Sequence, residues 1–128
     1  MSPLVLDSGG VSKLARRNAD ALAVIRAFRT EGLWPPVVPS MVLVESLTGR
    51  PRTDANVNRF LKTCDVVERV PERLARRAAS LRAKARLGSA VDALVIALAE
   101  PGGDVLGGDL ADLGALATYA IDVTVHRA

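Results

Sequence analysis

The segment Pro3-Leu4-Val5-Leu6-Asp7-Ser8-Gly9-Gly10 is apolar over Leu4, Val5 and Leu6, shows no helical spacing, and breaks on an acid, a hydroxyl and two glycines. Such a run predicts a short buried strand ending in a loop. Helical spacing follows it, first over residues 11–17 and then through Ala19, Leu22, Ala23, Ile25, Arg26 and Arg29 to a stop near Gly32. Leu33-Trp34-Pro35-Pro36-Val37-Val38-Pro39 holds too many prolines for the interior of a helix or central strand, yet Val37-Val38 fits a short strand. Ser40 is placed to cap a helix over 41–48 that stops at Gly49. Further along, the pattern predicts a helix over 52–63, a strand over 66–70 and a long basic helix opened by Pro71 and running to about residue 86. A helix over 90–99, a strand over 104–106, a short helix capped by Asp109 and a last strand over 121–125 complete the chain. Strands alternate with helices, and no hairpin dipeptide joins neighbouring strands. The expected fold is therefore α/β: a three-layer α/β/α sandwich whose central, mainly parallel sheet has four to five strands.

The chain is 128 residues long and 49% hydrophobic, which suits one domain over residues 1–128 with one packed core. A lone cysteine, Cys64, excludes an internal disulfide and a cysteine zinc cluster, and a lone histidine, His126, excludes the paired histidines of metal-free ribonuclease chemistry. The first apolar stretch has no basic residue before it, unlike a secretory signal, and the longest apolar run, residues 93–99, is too short to cross a bilayer. These features predict a soluble, cytoplasmic protein with no membrane partner. Seventeen Lys and Arg against 14 Asp and Glu give a formal charge of +3, which favours an anionic partner, although solvated helix faces account for most single arginines.

Four acids stand where an α/β sheet holds its ligands or where a charge is costly. Asp7 and Asp109 follow strands and should share the carboxyl edge of the sheet. Glu45 and Asp92 interrupt apolar helix segments, Ser40-Met41-Val42-Leu43-Val44-Glu45-Ser46-Leu47 and Ala90-Val91-Asp92-Ala93-Leu94-Val95-Ile96. Local roles also fit some of them: Asp109 as an N-cap, Asp92 in a capping-box spacing with Ser89, and Asp7 in a turn. If all four converge, their repulsion calls for a cation, and an all-oxygen site suits Mg²⁺ or Mn²⁺.

The strand ending in Asp7-Ser8, the helix acid Glu45, Gly88-Ser89-Ala90-Val91-Asp92-Ala93-Leu94 and Val105-Leu106-Gly107-Gly108-Asp109-Leu110-Ala111-Asp112-Leu113 together resemble the PIN-domain ribonuclease toxins called VapC, in order, spacing and total length. The resemblance implies a metal-dependent endoribonuclease, the toxin of a type II toxin-antitoxin pair. Asp7, Glu45, Asp92 and Asp109 would then be its catalytic and metal-holding carboxylates, with Asp112 a secondary candidate. It further implies Mg²⁺ or Mn²⁺ as cofactor, RNA as substrate, a VapB-like antitoxin as partner and a homodimer. Arg16, Arg17, Arg50 and Arg52 are candidates from position to hold the RNA backbone, and Ser8 to orient Asp7. At one point the chain departs from the family pattern: Gly107 stands where VapC proteins often carry a hydroxyl residue. Two alternatives remain: a catalytically silent PIN-like nucleic-acid-binding module, and a PIN nuclease in RNA processing. For the partner surface, the segment from Leu33 to Val38 and the stretch from Met41 to Val44 supply more hydrophobic surface than one loop and one short helix need, which suggests an apolar groove for a partner helix.

Overall fold

A computed structural model describes residues 2–128. Among them the order of elements is β1 (Leu4–Leu6), α1 (Ser8–Ala15), α2 (Ala19–Thr30), β2 (Val37–Pro39), α3 (Ser40–Ser46), α4 (Pro51–Leu61), β3 (Asp65–Val67), α5 (Glu72–Ala85), α6 (Ala90–Ala99), β4 (Asp104–Gly107), α7 (Leu110–Thr118) and β5 (Thr124–Arg127). The strands form one five-stranded sheet in the order β3-β2-β1-β4-β5, and every pairing is parallel. The α/β expectation holds, with helices α1 to α4 packed together on one face and α5 to α7 on the other. Leu4, Val5 and Leu6 are almost fully buried between these layers, as a strand covered on both faces requires.

From β1 the chain winds outward through β2 to β3, then crosses back to β4 beside β1 and winds the other way to β5. β1 and β4 therefore flank the topological switch point, the place where an open parallel sheet splays its following loops apart and leaves a crevice. The register Leu6↔Leu106 brings Asp7 beside Gly107 at that crevice. Helix α1 is drawn tightly against β4: a Cβ on Gly10 would lie 2.3 Å from the Leu106 carbonyl oxygen, so only glycine fits there.

Several boundaries differ from the sequence expectation. Ser40 is not the cap of α3 but its first residue, because Pro39, extended at ψ 140°, ends β2 and serves as N-cap itself without a side-chain bond. The last strand starts at Thr124, not 121, since the Ile121 N–H is taken by Glu100 Oε2 at 2.7 Å and Asp122 turns left-handed at φ 59°. Helix α1 begins earlier than expected, at Ser8, directly after its N-cap Asp7. No helix among the described residues is long and apolar enough to cross a membrane.

Candidate metal centre

Asp7 is set by β1 and by the first turn of α1. Its side chain is 5% exposed; Oδ1 accepts from Gly10 N at 2.8 Å and Oδ2 from Gly108 N at 3.1 Å. The turn role read from the sequence is thus real, as the N-cap of α1. It is not sufficient. Burial pushes the Asp7 carboxyl above its ordinary value and the nearby Asp92 carboxylate adds to the rise, while the N–H groups of Gly10, Gly108 and Gly9 only partly oppose it. The departure at Gly107 also has a cause. A Cβ there would lie 2.7 Å from Asp7 Oδ2 and 2.3 Å from Leu113 Cδ1, so Asp7 occupies the space a hydroxyl residue would need.

Across the crevice α6 supplies Asp92 and α7 supplies Asp109 and Asp112. Asp92 completes a capping box: its Oδ2 accepts from Ser89 N at 3.1 Å, and its own N–H donates to Ser89 Oγ at 3.1 Å. Asp109 is the N-cap of α7, its Oδ1 accepting from Asp112 N at 3.2 Å. Each cap engages one oxygen of a two-oxygen group, so capping and cation binding are compatible. Asp92, Asp109 and Asp112 each present an oxygen within 4.8 Å of the others, the only such grouping of three or more metal-capable side chains among the described residues. Burial and the carboxylates of Asp109 and Asp92 hold the Asp112 carboxyl above its ordinary value. The Asp92 carboxylate contributes to the upward shift of both Asp7 and Asp112. A hard divalent cation fits this donor set, which is all carboxylate oxygen and destabilised without a counter-charge.

Neither Glu45 nor Asp7 is in that group of three. Helix α3 ends at Ser46, two residues sooner than expected, so Glu45 lies in its last turn and is exposed rather than mid-helix and buried. It lines a separate cleft with Ser8 and Gly9. Asp112, ranked second from the sequence, stands in the cluster instead. Of the arginines named from position, Arg16, Arg17, Arg50 and Arg52 are all exposed, and Arg17 lines an apolar cleft with Trp34. Sequence reasoning passed over Arg82 and Arg86 as residues flanking the site. Arg82 Nε donates to the Gly88 carbonyl at 3.0 Å, Arg86 closes α5 in the left-handed region at φ 58°, and both lead into the Ser89–Asp92 cap.

Asp54 was missed altogether. It is 4% exposed in the first turn of α4 and draws in the α3–α4 turn: Thr48 N at 2.9 Å, Thr48 Oγ1 at 2.8 Å and Gly49 N at 2.8 Å all donate to it. These bonds hold its carboxyl below its ordinary value.

Compared with known proteins, the chain matches no family model and no curated protein.

Proposed function

We propose that this protein is a divalent-metal-dependent endoribonuclease of the VapC toxin type. The observation that carries the reading is the convergence of Asp92, Asp109 and Asp112, backed by buried Asp7, at the switch point of an all-parallel sheet. Asp92, Asp109 and Asp112 would hold Mg²⁺ or Mn²⁺, and the Asp7 carboxylate would add negative charge nearby. A bound ion of this kind supplies activation of water and neutralisation of charge on a phosphodiester in the transition state. The protein's own part is to fix the carboxylates by capping bonds before any ligand arrives, so no reorganisation is needed at the reacting phosphate. Arg82 and Arg86, beside the Asp92 cap, are suited to hold the strand's phosphates against the repulsion of the acids.

The toxin reading also carries partners: a VapB-like antitoxin and a second copy of the chain. A cleft of about 280 Å³ supports the first, with walls of Leu22, Ile25, Trp34 and Phe60 and a rim of Arg17, Arg29 and Arg59. Trp34 is only half-buried there, with the Arg29 guanidinium 5.3 Å from its ring centroid. An amphipathic partner helix with acidic flanks matches such a surface. Val44, 81% exposed, faces away from the core and suits a contact between copies.

The test is end-mapping of RNA incubated with the purified protein and Mn²⁺ or Mg²⁺, with EDTA and Asp92→Asn as controls. Discrete new ends that vanish in both controls are expected. Binding of RNA without any new ends would instead favour a silent nucleic-acid-binding module.

A further inference from the structure

The chain's positive charge is concentrated in one segment. Residues 69–86, which are α5 with its approach and C-cap, hold seven of the 17 Lys and Arg but only one of the 14 Asp and Glu, Glu72. The other 110 residues hold the remaining ten and thirteen, so the formal +3 of the chain is a segment of +6 set against a net −3 elsewhere. Arg82 and Arg86, at the metal-centre end of α5, are favoured by the helix dipole, which stabilises cations at a C-terminus. Arg69 and Arg73 are not. Arg73 is the second residue of α5 and Arg69 precedes its N-cap Pro71, at the end where the dipole disfavours positive charge, and neither has an ion-pair partner among the described residues. Helix stability does not account for them. Both border a cavity of about 650 Å³ with walls of Pro71, Leu74, Leu98 and Ile121, the last 59% exposed. Arg77 also reaches this cavity, but Glu100 holds it at 2.7 Å.

We propose that residues 69–86 are the track along which a single-stranded arm of the RNA leaves the metal centre; the inference rests on the ribonuclease reading above. Arg82 and Arg86 take the nearest phosphates, Arg69 and Arg73 the farthest, and the cavity receives an unstacked base. The near end is tied to the site, since Arg82 Nε donates to the Gly88 carbonyl at 3.0 Å and a Cβ on Gly88 would lie 3.6 Å from Asp92 Cβ. From Arg86 back to Arg73 the helix runs about 20 Å, a span of a few nucleotides. Along it Ala75, Ala79 and Ala83 are exposed and carry nothing beyond Cβ, so a sugar-phosphate backbone can approach the helix closely. Such a row of cations also offsets the repulsion between the acids of the metal centre and a polyanion. A short acidic peptide would engage one end; only a long chain of regularly spaced charges engages both. The cavity decides the strand state, because its apolar walls and guanidinium groups suit the face of a base, and unpaired RNA alone can turn a base out of its stack.

The experiment is fluorescence anisotropy of the whole protein in EDTA with labelled oligouridylates of about 4 and about 12 nucleotides. The longer RNA should bind about 10-fold more tightly or better, and Arg69→Ala combined with Arg73→Ala should remove most of that advantage. The double variant should also make the dependence of log Kd on log salt shallower by about 1.4, the share of two phosphate contacts on a single strand. Arg69→Lys with Arg73→Lys should keep the slope. The alanine variant should unfold at the same temperature as wild type or higher, because it takes cations from a helix N-terminus. Pairing the longer RNA with oligoadenylate should weaken its binding, and a duplex bound as tightly as the single strand would overturn the track. Unchanged Kd and slope in the alanine variant of a protein that cuts RNA would overturn the track and leave the nuclease standing. Length-dependent binding through Arg69 and Arg73 by a protein that cuts no RNA would sustain the track and overturn the nuclease. If polyglutamate displaces the longer RNA as well as unlabelled RNA of equal charge does, the segment is a face for acidic protein and the proposal falls.

Discussion

Asp7 and Asp54 are the two buried charged residues among those described, of one type and nearly equal exposure, 5% and 4%, yet their carboxyls shift in opposite directions. Asp54 is surrounded by donors from one turn: two consecutive backbone N–H groups and a threonine hydroxyl. Its charge is fully answered by the protein, and what it gains is a fixed α3–α4 turn. Asp7 has fewer donors than its burial requires and faces a second carboxylate in Asp92. Its charge is only partly answered by the protein. The difference separates a carboxylate whose charge the protein satisfies from one whose charge it satisfies only in part, and low exposure alone does not tell them apart.

The sharpest way to break this contrast is to neutralise each acid in turn. Asp7→Asn and Asp92→Asn should each lower kcat for RNA cleavage by about 1000-fold, the size expected when several kcal/mol of metal-based stabilisation is lost. Circular dichroism should show the fold retained. Asp54→Asn should do the reverse: cleavage within about threefold of wild type, but unfolding at clearly lower urea concentration as the turn at Thr48 and Gly49 loses its anchor. Loss of cleavage in Asp54→Asn without loss of stability would place Asp54 in the site and end the distinction.

A smaller effect tests whether Asp112 belongs with Asp7 or with Asp54. Its carboxyl is also pushed up, by burial and by Asp109 and Asp92, which aligns it with Asp7. Asp112→Asn should therefore raise the Kd for Mn²⁺ in calorimetric titration by about 10- to 100-fold. It should cost the metal-free protein little stability, because removing one of three crowded acids relieves repulsion. An unchanged Kd would reduce Asp112 to a helix-turn residue.

The sequence made the sheet legible because its strands are short, apolar and bounded by glycine or an acid, as at Leu6-Asp7 and Leu106-Gly107. Parallel order followed from the helices between them. Where the reading slipped, a three-dimensional partner had overruled local pattern. Ile121 looked like strand, but its N–H is held by Glu100, which Arg77 grips with two bonds of 2.8 and 2.7 Å. Ser40 looked like a cap, but β2 runs into α3 without a loop. Of the acids named from the sequence, Asp92 and Asp109 group with Asp112, while Asp7 lies buried at the end of β1 outside that grouping. Glu45 was read as mid-helix because the end of α3 could not be fixed from Thr48-Gly49 alone. The residue that fixes it is Asp54, five and six positions beyond, and no local rule links an acid in one helix to the turn before it.

The smallest effect is also the most direct reading of the contrast, because the two acids should give opposite dependences of stability on pH. For Asp54 the folded value lies below the ordinary 3.8, so its contribution is full above 3.8 and is lost as pH falls through the lowered value. For Asp7 the folded value lies above 3.8, so in metal-free protein its contribution is full below 3.8 and is lost as pH rises through the raised value. Urea unfolding in EDTA, from about pH 3 to about pH 6, should then show Asp54→Asn falling further below wild type as pH rises. Asp7→Asn should instead gain on wild type over the same rise, because the variant has no charge to bury. Saturating Mn²⁺ should reverse the Asp7 result alone, since a cation stabilises the ionised form that burial penalises. Parallel curves for the two variants, with or without Mn²⁺, would mean that both carboxylates are answered by the protein alone, and the crevice would lose its claim to a metal.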